Sequence, residues 1–577
     1  MMKYSDIIAR WLAEIGYTHY FYVGGGNIMH LTESLDSQLI GVPVVHEVAA
    51  GVAAEYFNKV STVNKALALV TAGPGITNIV TAFAGAWLES RELLVIGGQV
   101  KTSDLSMGEV RGRGIQEVDG TSIVGKISKL AIRLDEPVSS KHFYDYVKAS
   151  WQPRKGPVFI EIPIDVQAKI FDYSPIIKSS DKKISAISEV DLLSILDILK
   201  KSKRPVVLLG GGISYSVAME CHAALANKKI PVMTTYNGAD LFDGYNQNYM
   251  GRPNTWGLRS ANIIIQKADF ILAIGTRLGL QQTGFNWQEF GKNAKIVQID
   301  IDQSELSKGH PKIFAGYPVC ADHFLRNITR HNWGNFNEWF DYAADLRDRI
   351  PRVEDVNNTG GGFISPYDFI TELEKLTDAS DLIIPCSSGS AFTLTMQLYK
   401  QKLGQRIVTN KSLASMGYGL SGAIGASIAC DNSRRTILIE GDGGFAQNLQ
   451  ELGTAAINKL NLKIFIFDDK GHASIRMTQQ NYFNGRYLGC DEASGLGLPD
   501  WDQLFHVWGI EVMRINRGFQ KQPKFLNAFH GNKIAAFLVT IDPEQTYYPK
   551  ISSRIMEDGS MLSNPIHRMS PEIKYRD

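Results

Sequence analysis

Cysteine is scarce in this sequence. The five thiols, Cys221, Cys320, Cys386, Cys430 and Cys490, are odd in number, far apart and without a CxxC pair. This argues against a disulfide framework or a zinc ribbon and points to a reducing compartment, with the thiols as core filler. An excess of charge of one sign is also missing. Lys and Arg number 60 against 59 Asp and Glu, a net charge of +1, which argues against a binder of nucleic acid or acidic surfaces. The 12 histidines are scattered and suggest no metal cluster. No uninterrupted apolar run approaches membrane-spanning length. The opening MMKYSDIIARWLAEIG has helical spacing and lacks the apolar centre of a signal peptide. These absences predict a soluble cytoplasmic protein with no nucleic-acid or membrane partner.

What is present is an ordinary globular composition, 44% hydrophobic and 21% charged. A chain of 577 residues, at roughly 100–200 residues per domain, predicts three domains, each able to bury a core. One local pattern occurs three times. Ala66–Val70 leads into Gly73-Pro74-Gly75, a helical stretch and then Leu93–Ile96. Pro205–Leu209 leads into Gly210-Gly211-Gly212, a helix and Ile230–Met233. Thr436–Ile439 leads into Gly441-Asp442-Gly443-Gly444, a helix over Gln447–Leu460 and Leu462–Phe467. Such alternation means βαβ units, so the predicted fold class is α/β, with three doubly wound parallel-sheet domains. The polar stretches Tyr173–Ser185 and Glu354–Gly362 read as linkers. They divide the chain into domains at 1–175, 186–350 and 363–546. A tail over 547–577, without clear periodicity, either lacks order or folds over a site.

Glycine-rich turns after strands let backbone NH groups approach a phosphate at a helix N-terminus, at the carboxyl ends of the strands. Taken singly, each is equally explained as a tight turn. Asp442 lies inside such a turn, and Asp468 and Asp469 end the next apolar run, one strand–helix–strand excursion later. Two carboxylates at adjacent strand ends, beside glycine-rich backbone, make the oxygen-rich site that Mg²⁺ needs when it also binds phosphates. Residue types alone leave a second reading open: Asp442 as a helix cap, and Asp468 and Asp469 as solvated turn residues.

The stretch GDGGFAQNLQELGTAAINKLNLKIFIFDDKG resembles the thiamine-diphosphate motif, in which GDG is followed, a helix and a strand later, by Asn-Asn. Here Asp468-Asp469 replaces Asn-Asn, which puts extra negative charge beside a diphosphate. The resemblance implies Mg²⁺ held by Asp442, Asp469 and the carbonyl of Gly471. It implies thiamine diphosphate (ThDP) held by Gly73, Ser388, Gly389, Ser390, Met416, Gly441, Asp442, Gly443, Gly444, Asp469, His472 and Ala473. VPVVHEVAAGVAAEYF looks like the family's glutamate segment, with Glu47 as the acid that protonates the aminopyrimidine N1′ from an apolar pocket. TAGPGITNIVTAFAGAWLESRELLVIGGQV, GRGIQEVD and LASMGYGLSGAIGA are similar to the acetohydroxyacid synthases. By that likeness Met416 props the bent cofactor, and Gly25, Gly26 and Gln116 surround the reacting carbonyl. The middle of the chain resembles the same group's flavin domain, implying FAD held by Arg154, Gly211, Gly212, Gly257, Thr276, Arg277 and Asp300 without net redox. A remnant domain that binds no FAD is the alternative.

Two departures bear on the acceptor. The synthases' Gln-His pair aligns with Ser390-Ala391, and their substrate-pocket tryptophan aligns with Thr478. The ending YYPKISSRIMEDGSMLSNPIHRMSP looks like that of carboligases of branched-chain (yersiniose-type) sugar biosynthesis. The expected activity is decarboxylation of pyruvate and ligation of the hydroxyethyl carbanion to a bulky ketone, such as a nucleotide-linked keto sugar. Acetolactate synthesis, a pyruvate-oxidase-like flavin enzyme and a non-catalytic scaffold are the alternatives. Small-molecule donor and acceptor aside, the expected partner is a second copy, in a homodimer or homotetramer with sites at the interface.

Overall fold

The computed structural model describes residues 1–180 and 185–573. Three parallel sheets follow one another along the chain. The first contains β1 (Tyr17–Tyr22), β2 (Ile40–Pro43), β3 (Lys65–Val70), β4 (Leu93–Gln99), β5 (Leu130–Arg133) and β6 (Pro157–Pro163), in the order β2-β1-β3-β4-β6-β5. The second contains β7 (Pro205–Leu209), β8 (Val232–Thr234), β9 (Phe270–Ile274), β10 (Lys295–Asp300) and β11 (Ala315–Pro318), in the order β8-β7-β9-β10-β11. The third contains β12 (Leu382–Pro385), β13 (Arg406–Ile407), β14 (Thr436–Gly441), β15 (Leu462–Asp468), β16 (Glu511–Ile515) and β17 (Ala535–Thr540), in the order β13-β12-β14-β15-β17-β16. The first and third sheets therefore share one connectivity. Their inner strands, such as LLVIGGQ and LKIFIFD, are buried along their whole length. A parallel strand covered by helices on both faces requires such a run rather than an alternating one.

The first and third sheets meet through helices. Helix α1 (Glu47–Val60) lies against α3 (Tyr418–Ile428), and small residues allow the close approach. A side chain at Gly425 would come within 2.1 Å of the Ala53 carbonyl oxygen. Glu55 lies at the centre of this contact, fully buried. It accepts hydrogen bonds from Arg91 (2.7 Å), Asn410 (3.1 Å) and the Tyr418 hydroxyl (3.1 Å). Burial raises the Glu55 carboxyl above its ordinary range, and the Arg91 guanidinium partly offsets this.

Three expected features take a different form. No continuous helix covers Gln447–Leu460. A 3-10 segment, Ala446–Glu451, with a non-helical Asn448, precedes a short helix, Leu452–Ile457. The Asn448 amide donates to the Gly417 carbonyl (2.7 Å), and this competes with helical backbone geometry. The linkers are packed rather than free. Ser174, Ser179 and Ser180 accept from Trp11 and Lys148. Glu354 pairs with Arg259 (2.9 Å), and Asn357 is buried. Residues 181–184 of the first stretch lie outside the described residues. The tail is folded against the body of the protein, and beyond its first residues it lies on the central sheet's layer. Asn262 donates to the Ile566 carbonyl, Arg259 donates to that of Met569, and Ile566 is buried. Residues 574–577 lie outside the described residues. Among the described residues, no helix is long and apolar enough to cross a membrane.

Removing Arg91 leaves a buried carboxylate without its cation. Arg91→Met is expected to cost about 3–5 kcal/mol, visible as a lower thermal midpoint, and Glu55→Gln combined with it should recover most of the loss. An Arg91→Met protein that melts with wild type would overturn this account of the contact.

Candidate functional site

Parallel pairing of β14 with β15 sets Gly441 beside Phe467. The residues that follow, Asp442 on one side and Asp468-Asp469 on the other, therefore leave the sheet together at its carboxyl edge. All three carboxylates are buried. Asp442 accepts from the backbone NH of Gly443 (2.6 Å) and of Gly471 (3.1 Å). Burial and the neighbouring charge of Asp469 push it well above the ordinary carboxylate range. Burial also raises Asp469, to about 7, against the pull of Arg476. Asp468 faces away, paired with Lys470 (2.9 Å) and Arg514 (2.9 Å). Two buried carboxylates, the charge of Asp469 raising the proton affinity of Asp442, suit a divalent cation between them. Among the described residues, no group of three or more His, Cys, Asp or Glu side chains could hold a metal. The remaining oxygens for such an ion would come from backbone and ligand, as the Gly471 carbonyl and a phosphate provide.

Two helix N-termini converge on this edge. Helix α2 (Gly389–Leu398) begins at Ser388, with no side-chain cap. Gly389 has φ +78°, with open space where a side chain would stand, and Ser390 is buried behind it. Helix α4 (Ala473–Phe483) begins after His472, whose ring covers Gly443 so closely that a side chain there would lie 2.2 Å from Nδ1. Uncapped NH groups beside open backbone are what a phosphate needs, so the residues present fit a diphosphate bridged by a cation. Met416 is partly exposed and receives the Gln447 amide at its sulfur (3.7 Å).

A second cluster lies at the corresponding edge of the first sheet. Glu47 is the first residue of α1, not a loop residue, and its carboxylate accepts from Asn78 (2.9 Å). One of its neighbours is thus an amide. Gln116, at φ +66°, sits over Gly73, and Gly25 abuts Thr71, whose buried hydroxyl has no partner. Gly26 faces open space. Within one chain, the first and third sheets join through Glu55 and Arg91, and through Glu451, which accepts from the backbone of Val45 and His46. Neither bridge includes Glu47 or Asp442.

The carboxyl edge of the central sheet opens into a cleft of about 1020 Å³ that residues around all three sheets line. Arg154, Gly211, Gly212, Thr276, Arg277 and Asp300 line it. Burial lowers Lys411, also on its wall, to about 7. The Asn237 side-chain oxygen on its wall is buried without a partner. Basic groups and an orphaned acceptor beside a triple-glycine turn fit a dinucleotide. Arg154, however, pairs with Asp302 (3.0 Å) and Glu305 (3.1 Å), and Arg277 donates to Ser412 (2.7 Å). Gly257 is not among the residues that line the cleft. A side chain there would lie 2.6 Å from the Arg252 carbonyl, so this glycine serves a tight turn. Thr478 is exposed on α4, its hydroxyl bonded to the Ser474 carbonyl (2.9 Å).

Sequence reasoning missed Arg476. Its guanidinium, almost wholly buried, meets the Asp469 carboxylate (3.2 Å) and the carbonyls of Asp469, Lys470 and Pro543 (2.6, 3.2 and 3.3 Å). The excess charge of the Asp-Asp pair thus has a cation for each member. The one available signal was a basic residue in the first turns of the helix after the carboxylates.

Three family models match the chain. They are described as thiamine pyrophosphate enzyme N-terminal TPP binding domain (residues 2–123), central domain (192–325) and C-terminal TPP binding domain (387–539). Relatives of known name include acetolactate synthase isozyme 1 large subunit of Escherichia coli, 28% identical over 95% of each chain. The acetolactate synthase large subunit of Cyanidium caldarium is 30% identical over 82% of this chain and 81% of its own. A probable acetolactate synthase large subunit of Methanocaldococcus jannaschii is 28% identical over 99% and 97%.

The Arg476 contact reverses a simple expectation. Replacing Asp469 by the neutral amide should not strengthen the site, because it leaves a buried guanidinium with carbonyl acceptors but without its carboxylate partner. Asp469→Asn is expected to lower the thermal midpoint of the ligand-free protein, at a cost of about 3–5 kcal/mol. Asp469→Asn with Arg476→Met should melt near wild type. Calorimetry on the three proteins checks this, and additive losses would refute the pairing.

Proposed function

The chain belongs to the thiamine pyrophosphate enzymes, and from that membership we propose that it decarboxylates pyruvate and joins the two-carbon fragment to a ketone acceptor. The observation that carries the proposal is the Asp442–Asp469 edge with its two uncapped helix N-termini. Thiamine diphosphate, when bound, supplies the electron sink that 2-oxo acid decarboxylation requires. Asp442, Asp469 and the Gly471 carbonyl would hold Mg²⁺. Ser388, Gly389, Ser390, Gly441, Gly443, Gly444, His472 and Ala473 would line the diphosphate. Glu47 would exchange a proton with the pyrimidine N1′, steadied by its hydrogen bond from Asn78. Met416 would support the cofactor between its rings. Gly25, Gly26 and Gln116 would form the wall where a substrate carbonyl lies, and Gly73, packed under Gln116, would touch the cofactor. FAD would occupy the central cleft against Gly211, Gly212, Thr276, Arg277, Asp300 and Arg154. Decarboxylation followed by ligation conserves electrons, so that flavin would do no net redox.

The Glu47 and Asp442 clusters belong to different sheets, and the bridges within the chain pass through other residues. A complete site is proposed to form between two copies, in a homodimer or homotetramer. Exposed Met416, Ile475, Phe483 and Leu488 beside the third-sheet cluster support an interface there. The acceptor is proposed to be larger than pyruvate, in the manner of a nucleotide-linked keto sugar. The small side chain of Thr478, whose hydroxyl is already engaged, leaves room on α4. The relatives' names favour a second reading, in which pyruvate is the acceptor and acetolactate the product.

Glu47→Gln is expected to lose pyruvate turnover by about 10²–10⁴-fold while still binding thiamine diphosphate. Asp442→Ala should lose thiamine diphosphate and Mg²⁺ together in titration calorimetry. Mixing the two inactive proteins should restore part of the activity, and no recovery despite proven subunit exchange would count against shared sites. For the acceptor, mass spectrometry of products from pyruvate offered with a panel of ketones and nucleotide keto sugars is decisive. Ligation to the larger ketones is expected, with a fall on Thr478→Trp in a variant of normal melting behaviour. Acetolactate as sole product would move the protein to the second reading.

A further inference from the structure

After β17 the chain crosses the carboxyl edge of the third sheet as it passes into the tail. This strap, Ile541–Pro549, is held at both ends. Ile541 donates to the Asp468 carbonyl (3.2 Å), and the Pro543 carbonyl accepts from Arg476 (3.3 Å). Farther on, the Tyr548 NH meets the Tyr367 hydroxyl (2.6 Å), and Gln397 donates to the Pro549 carbonyl (3.0 Å). Between these anchors the Tyr547 side chain turns inward and is only 2% exposed. Its hydroxyl has no hydrogen-bond partner. The Ser390 hydroxyl at the start of α2 lies close enough to interact with this oxygen but does not complete a hydrogen bond to it, and the carboxylates of Asp469 and Asp442 lie nearby.

A buried hydroxyl without a partner costs free energy, and native structures rarely keep one without a use. Both carboxylates can only accept from it, and the uncapped NH groups of α2 favour an anion in the same space. We propose that Tyr547 is a ligand-binding residue: its hydroxyl donates to the diphosphate bridged to Asp442 and Asp469. The inference rests on the cofactor site proposed above and adds to it a donor from the segment leading into the tail. It gives the strap a function, because the contacts that fix its path also fix the hydroxyl.

Tyr547→Phe removes one oxygen atom and keeps the ring. The two expected effects have opposite signs. The ligand-free protein should melt at the wild-type temperature or above it, because an unsatisfied hydroxyl has gone. Affinity for thiamine diphosphate, titrated with Mg²⁺ by calorimetry, should fall about tenfold, the loss of one hydrogen bond to a charged group. Unchanged affinity overturns the assignment. So does weaker binding accompanied by a lower ligand-free melting temperature, which would make Tyr547 a packing residue only. Wild-type protein that binds no thiamine diphosphate would overturn the cofactor site itself, an outcome distinct from either.

Discussion

The parallel pairing of β14 with β15 is the constraint from which the site follows. Once Gly441 stands beside Phe467, three carboxylates must emerge at one edge, and all three are buried there. Carboxylates so placed repel one another and resist desolvation. Everything around them answers that problem. Arg514 and Lys470 take Asp468, Arg476 takes Asp469, and the backbone NH groups of Gly443 and Gly471 take Asp442. The glycine turn keeps that backbone bare enough to serve.

The same architecture appears at the first sheet with different chemistry. Both sheets use one strand order, so both present their loops at equivalent edges. One edge carries acid–cation pairs and uncapped helix ends. The other carries a single glutamate with an amide partner and a wall of glycine, threonine and glutamine. The central sheet, with one strand fewer and a different order at its end, offers a basic cleft instead. Fold repeats here while side-chain chemistry diverges, as expected when function resides in loops grafted on a common frame.

The elements most legible in the sequence were those with continuous apolar runs followed by glycine, because a strand buried on both faces leaves little ambiguity. Asp442 and Asp469 were legible for the same reason: they end such runs. What was hidden depended on partners distant in the chain. The two-residue β13 has no pattern of its own. Asn448 breaks a helix through its bond to Gly417. The close approach of Gly257 to the Arg252 carbonyl is a contact that the sequence does not show. The tail pairs through short strands whose burial is visible only against the central sheet. Arg476 and Tyr547 carry no local signature, since an arginine on a helix and a tyrosine in a loop are ordinarily solvated.

The Arg476–Asp469 pair also bears on how such a chain can change over descent. Both charges are buried and each is the other's counter-ion, so a substitution at either position alone passes through a form with an interior charge that lacks its counter-ion. The two positions are therefore locked together. Lineages with a neutral residue at 469 should carry an uncharged residue at 476, and those with an acid there should keep the base. Covariation at these two positions would trace the passage between the two versions of the site.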